Sequence, residues 1–469
     1  MNKNFLFLLY ASCFGVSLDL HAQNNSSFFD KYMQAQTELY GFNGNVLIAQ
    51  NGKVIYKKSF GYANYNTKSK LDSNSIFDCG SIAKEFTAMG ILLLKDKGLI
   101  SYSDTLRKFF PELPYHNVTI QQLLTHTSGM PDGFEIISKF FDHDKIAGNI
   151  DLISLLAREK PPVLFNPGED LMYSGTAFNL LASIIEKVSG QSYNTYMAEH
   201  VFKPLNILHT MVANGRRSTK LIPGYANGFV YSDSLKKYMI ADSLHTGWTS
   251  YLAGITGEGM IVTTTGDLLK WDDALQHHSL LMQGTQVAML SRQAEKATFP
   301  FVRFGYGMRV GQNDFGNYFF HNGYFPGYLS MHIHYTDDDI TAIVLSNNES
   351  HSEFIADALV AIALNKKIAM PVIHKEIMTN TALDKYVGKY TIPLTRPPYM
   401  VSFPVEIILK NNKLYIHPSS GADIQLKAES NTKFYFADGS DQQIEFETDL
   451  EGNHIKAWYI GWGLKKEIK

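Results

Sequence analysis

Strand-like patterning lies at the two ends of residues 44–346, and helical punctuation fills the stretch between them. At the start, Val46-Leu47-Ile48-Ala49 and Val54-Ile55-Tyr56 flank Asn51-Gly52, a strong two-residue hairpin signal. At the end, Gly305 to Ser346 reads as three antiparallel strands: Tyr318-Phe319-Phe320, Leu329 to His334, and Ile340 to Leu345. A last helix follows from Phe354 to Leu364. Such a chain must build one sheet from its first and last segments. The expected fold is therefore α+β, an antiparallel sheet flanked by helices with a helical subdomain inserted in the middle.

The helices between are marked by their ends. Glu85 to Lys97 is strongly helical and stops at Gly98. Thr119 and Gln122 form a capping-box pattern ahead of Leu123 and Leu124, with Gly129 as the expected stop. Asn166-Pro167-Gly168 is a turn leading to Tyr173-Ser174-Gly175. A helix then carries Phe178, Leu181, Ile184, Ile185 and Val188 on one side and closes at Gly190. Tyr193 to about Phe202 is helical up to Pro204, Leu268 to Leu275 forms a short helix, and residues 206–262 are loop-rich.

Ahead of the first helix stands Gly80-Ser81-Ile82-Ala83-Lys84. Three residues apart on a helix, Ser81 and Lys84 share a face. Ser81 falls in the first turn, where unpaired backbone N–H groups favour negative charge. A hydroxyl beside an amine able to lose its proton is one arrangement of an activated nucleophile. The pattern alone is weak, since Ser-x-x-Lys is expected about two or three times by chance in such a chain. Ser234 to Lys237 and Ser430 to Lys433 also match it.

What accompanies the pattern gives it weight. Gly80 to Lys84, the Leu-Leu-Thr-His-Thr-Ser-Gly stretch from Leu123, Tyr173-Ser174 and His321-Asn322-Gly323 together resemble serine β-lactamase-like and penicillin-binding proteins. The likeness is strongest to the class C-like branch of DD-peptidases, D-aminopeptidases and esterases, and covers about residues 40–366. It implies that Ser81 attacks a carbonyl and becomes acylated, and that Lys84 and Tyr173 share proton transfer, with either as the base. It implies an oxyanion hole from the backbone N–H groups of Ser81 and Tyr324. His321, Asn322, Gly323 and Tyr324 would line the substrate side. His321 is then either a cation holding a substrate carboxylate or a neutral hydrogen-bonder in the pocket wall. One departure is Gly175, where the family pattern Tyr-x-Asn has an amide that meets the substrate. Asn179, a turn later, is no certain substitute, so β-lactam turnover is in particular doubt.

Other residues carry plainer readings. His126 reads as a structural hydrogen-bonder, and Cys79 as packing beside the nucleophile. Glu258, between Gly257 and Gly259, sits on a loop within reach of the pocket or in a solvated turn. His332 and His334 share a strand face but lack an evident third ligand, so neither a metal nor a cofactor is expected.

A net charge of −3 with 19% charged residues gives no sign of nucleic-acid binding. Lys3 and the apolar run Phe5 to Leu18, followed by Ala22, read as a signal peptide over residues 1–22. A lipoprotein anchored through Cys13 is the alternative. No segment is long enough to span a membrane in the mature chain. Export to a periplasm suits a chain whose large core needs no disulfide. The expected division is a hydrolase domain over 23–367, a linker over 368–382 and a small all-β domain over 383–469, a barrel or sandwich. The expected partner is a small-molecule or peptide substrate, with peptidoglycan a candidate. The alternatives to an acyl-serine hydrolase of D-amino-acid peptides or small esters are a β-lactamase and an inactive binding protein.

Overall fold

The computed structural model describes residues 11–213, 222–232, 234–296, 299–366, 368, 370–378, 382–396, 399–418, 423–437, 442–449, 454–461 and 464–468. Contacts divide the chain into two units, Phe42–Ala356 and Met1–Gly41 with Asp357–Lys469.

In the first unit, the hairpin forms as Gly44–Gln50 and Lys53–Phe60, joined by Asn51 and Gly52, both at positive φ. That is the backbone a type I′ turn needs. Strand Gly44–Gln50 pairs on its other side with Ile340–Ser346, Gln50 facing Ile340. The sheet continues through Tyr328–Tyr335 and Gly316–Phe325. It does not end there, as three strands at the end of the unit would require. Arg309–Asn313, Phe299–Phe304 and Ala294–Lys296 extend it to eight strands. These extra strands are short, and Pro300, Gly305 and Gly307 interrupt their period-two pattern.

The helix after Ser81 runs from Ala83 to Asp96, and every residue from Ala83 to Leu94 is buried. It packs on the helix Gly175–Ser189 through Gly90, where a Cβ would come 2.7 Å from Ile185 Cδ1. Gly98 and Gly190 follow the two helices at φ 69° and 71°. The capping box of Thr119 and Gln122 forms, but its helix spans only Ile120–Leu124 and ends before Gly129. The chain turns at once because His126 takes φ 60°. A three-stranded patch joins Phe77–Asp78, Ile261–Thr263 and Met211–Val212. It sets the loop before Ile261 against the residues before Ser81, with Cys79 N donating to Ile261 O at 3.0 Å.

Beneath the sheet, His332 bridges two carboxylates, Nδ1 3.0 Å from Glu85 and Nε2 3.1 Å from Asp272. Trp271 Nε1 donates to Glu85 at 2.7 Å, and His334 lies 3.3 Å from Asp272. Glu85 and Asp272 hold the His332 imidazole up to about 10 against the opposing effect of burial. The pair of histidines is thus tied up in an ion network, and no metal-binding cluster is found among the described residues.

In the second unit, eight strands from Gly388–Arg396 to Leu464–Ile468 form an antiparallel sheet in chain order. The sheet curls until its first and last strands come within 8 Å. Val405 and Ile407, Leu414 and Ile416, Phe434 and Phe436, and Ile444 and Phe446 are buried in pairs two residues apart, the signature of one inward face. Asn411 and Asn412 make the expected tight turn, both at positive φ. Tyr386 lies in a 3-10 turn rather than a strand, Ile424–Ala428 and Leu464–Ile468 are additional strands, and the turn at 451–453 lies outside the described residues. Ala11–Tyr40 is helical. Residues 1–10 of the expected signal segment lie outside the described residues. No helix among the described residues is long and apolar enough to cross a membrane.

Candidate active site

Ser81 lies in a 3-10 turn, Gly80–Ile82, that runs directly into the helix beginning at Ala83. Lys84 is fully buried, and its Nζ donates to Ser81 Oγ at 3.0 Å and to Glu258 O at 2.8 Å. The Tyr173 ring lies over the same ammonium, its centroid 4.9 Å from Nζ. Ser81 and Tyr173 are therefore both neighbours of the Lys84 Nζ, although Tyr173 comes from a segment remote in sequence.

Two glycines set the distance between the Ser81 turn and the strand Gly316–Phe325. A Cβ on Gly323 would come 1.9 Å from Cys79 O, and one on Gly80, at φ 53°, would come 2.6 Å from Tyr324 N. Backbone thus packs on backbone, which only glycine allows. Ser330 Oγ ties the two together by donating to Cys79 O at 2.7 Å. Asp78 holds the turn from the other side, accepting from Gly80 N at 2.8 Å. Tyr324 presents an exposed side chain, while Asn322 reaches away to donate to Glu353. Cys79 is buried, which pushes its thiol up, as a packing residue requires.

His321 is 1% exposed and its Nδ1 lies 2.6 Å from Asn322 O, the place of an N–H donor to a carbonyl. That tautomer leaves Nε2 bare, and Nε2 has no hydrogen-bond partner among the described residues. Burial, helped by the Lys84 charge, holds the imidazole well below its ordinary value. The geometry thus favours the neutral hydrogen-bonder over the cation.

His126 stacks under Tyr173 at 4.5 Å. Its Nδ1 accepts from Ser174 N at 3.0 Å, and its carbonyl accepts from Met172 N at 2.9 Å. The residue clamps both sides of Tyr173, a positioning role built on its left-handed backbone. Burial first, then Lys84, holds this imidazole too well below its usual value, consistent with an accepting Nδ1.

Glu258 is not in a solvated turn. It is 7% exposed, and its Oε2 stands 3.7 Å from Lys84 Nζ. With Ser81, Gly80 and Tyr324 it lines a small cavity whose other wall includes Trp248 and Phe325. Burial pushes its carboxyl up to about 7, with Lys84 opposing and Asp132 adding to the rise. Asn179 is turned away from the cavity, its amide donating to Thr256 O at 2.9 Å. Neither the closeness of Glu258 to Lys84 nor the glycine contacts at Gly80 and Gly323 had a sequence signal beyond the glycines themselves.

Comparison with known proteins gives the family and the fold. The β-lactamase family model matches residues 29–365. Penicillin-binding protein 4* of Bacillus subtilis (strain 168) is 34% identical over 88% of this chain and 92% of its own. The putative penicillin-binding protein PbpX of the same organism is 27% identical over 67% of this chain and 72% of its own. The octameric penicillin-binding protein homologue from Pyrococcus abyssi superposes with a TM-score of 0.65 at 21% identity, covering 94% of this chain and 99% of that one. D-amino acid amidase from Ochrobactrum anthropi SV3 superposes with a TM-score of 0.59 at 21% identity, covering 73% of this chain and 98% of that one. The last two likenesses speak to the fold alone. Family model, full-length relative and the Ser81–Lys84–Tyr173 cluster together place the chain in the β-lactamase family of serine hydrolases.

Proposed function

We propose that the protein is an exported hydrolase that works through an acyl-serine intermediate on D-amino-acid amides and peptides, peptidoglycan-type amides among them, and on small esters. The observation that carries this is the 3.0 Å hydrogen bond from the fully buried Lys84 Nζ to Ser81 Oγ, under the Tyr173 ring. Ser81 Oγ attacks the substrate carbonyl, and Lys84 and Tyr173 pass its proton to the leaving group. Water then repeats the sequence on the acyl-serine. The backbone N–H groups of Ser81 and Tyr324 hold the developing oxyanion, and the packing of Gly80 against Tyr324 supports a donor pair there. Each such donor contributes about 2.7–4 kcal/mol. His321, neutral, offers Nε2 as an acceptor in the wall. The substrate class follows the penicillin-binding relative and the branch that the motifs around Ser81, Tyr173 and His321 resemble, and export follows Lys3 and the apolar run after it.

A fluorophosphonate or fluorescent penicillin, followed by mass mapping, should label Ser81. Ser81→Ala should lose hydrolysis by at least about a thousandfold, while changing stability by no more than about 0.5–1 kcal/mol. A variant that keeps most of its rate would remove Ser81 as the nucleophile. Rapid turnover of penicillin would make the protein a β-lactamase. Absence of any adduct in the wild type would favour a binding protein.

A further inference from the structure

The cavity beside Ser81 contains a carboxyl group that the acyl-serine mechanism does not use. A Cβ placed on Gly175 would lie 1.9 Å from Glu258 Oε2 and 2.8 Å from its Cδ. The carboxyl therefore sits in the space a side chain at 175 would fill, and that is the place of the amide in the Tyr-x-Asn pattern. The loop holds it there firmly. Thr87 Oγ1 donates to Gly257 O at 2.5 Å, Asn179 Nδ2 donates to Thr256 O at 2.9 Å, and Asn149 Oδ1 accepts from Thr256 N at 2.9 Å. Gly257, at φ 102°, lets this loop press on the next helix, where a Cβ would meet Phe178 O at 2.4 Å.

The carboxyl has acceptor capacity to spare. Oε1 is buried without a hydrogen-bond partner among the described residues. Oε2 is 3.7 Å from Lys84 Nζ, longer than a hydrogen bond. Lys84 has already directed two of its three N–H groups at Ser81 Oγ and Glu258 O. An amide both donates and accepts, whereas a carboxylate only accepts and carries charge. Exchanging one for the other turns a seat for a substrate carbonyl into a seat for a cation. Burial, with Asp132 adding to it, holds the carboxyl up at about 7, so an arriving cation supplies the charge that favours its ionised form.

We propose that the Glu258 carboxylate, lodged over Gly175, receives the free α-ammonium of the substrate, so that the enzyme selects amino acid amides and peptides with an unblocked amino terminus over N-acylated ones. The ammonium is two bonds from the scissile carbonyl carbon, which suits a seat in the same cavity as Ser81. This deepens the acyl-serine reading and rests on it for the position of the carbonyl.

The test compares D-phenylalanine amide with N-acetyl-D-phenylalanine amide. In Glu258→Gln, the ratio of kcat/KM for the free amine to that for the acetylated amide should fall at least tenfold, chiefly through KM of the free amine. Gly175→Ala, which forces the carboxyl from its place, should move the ratio in the same direction. A ratio within twofold of wild type in Glu258→Gln overturns the proposal. Calorimetric binding to Ser81→Ala protein, with and without Glu258→Gln, gives a readout that needs no turnover. There the free amine should bind at least tenfold tighter than its acetylated form only when Glu258 is present, and equal binding of the two also overturns it. If the wild type hydrolyses neither amide yet binding keeps this preference, the acyl-serine reading fails and the ammonium seat stands.

Discussion

At the scale of single residues, the histidines differ by what surrounds them. His321 and His126 are buried near Lys84 and held neutral, whereas His332, two strand positions from His334, is buried between Glu85 and Asp272 and held as a cation. Its folded pKa, about 10, lies above the unfolded value of about 6.5. The stability it contributes is thus fully present below about pH 6.5 and is lost as pH rises through about 10. His332→Gln leaves two buried carboxylates without their cation and should cost about 3–5 kcal/mol near neutral pH. The gap in denaturant midpoint between wild type and variant should then shrink progressively as pH rises from about 6.5 to about 10. A gap of constant size from pH 6 to 11 would show that His332 is not charged in the folded chain. None of this was legible from two histidines at alternate positions, because the partners Glu85 and Asp272 lie on helices far from them in sequence.

At the scale of elements, what was legible was whatever a local rule dictates. Asn51-Gly52 announced its hairpin, Thr119 and Gln122 their capping box, and Gly98 and Gly190 the ends of two helices, since each depends on backbone within a few residues. Ser81 and Lys84 were legible for the same reason. The contact between the Ser81 turn and the strand Gly316–Phe325 was not, because no spacing within either segment reveals that two backbones touch. That contact has a measurable consequence. Gly323→Ala inserts a methyl 1.9 Å from Cys79 O, so strand and turn must separate. A displacement of about 1 Å at reacting groups can cost about a hundredfold. We expect kcat/KM on a simple ester to fall by about that factor, with most of the loss in kcat if the Tyr324 N–H serves the transition state. A variant within threefold of wild type would show that this contact does not set the site.

At the scale of the whole molecule, the proposed export predicts that the protein recovered from outside the cytoplasm begins at Gln23, read by intact mass. A lipid on Cys13, or an uncut chain starting at Met1, would overturn that reading. Export also bears on the order in which the sheet can close. Gly44–Gln50 is second from one edge of its sheet, between Lys53–Phe60 and Ile340–Ser346, and Gln50 faces Ile340. A growing chain adds about 5–20 residues per second, so the first strand waits about 15–60 s for its neighbour to be made. Through that interval its backbone edge toward Ile340–Ser346 is unpaired, and the helices made meanwhile lack the completed sheet to rest on. Were the chain exported as proposed, the late making of Ile340–Ser346 would leave the sheet open while the chain passes a narrow pore, and the last strand would act as a clock on folding.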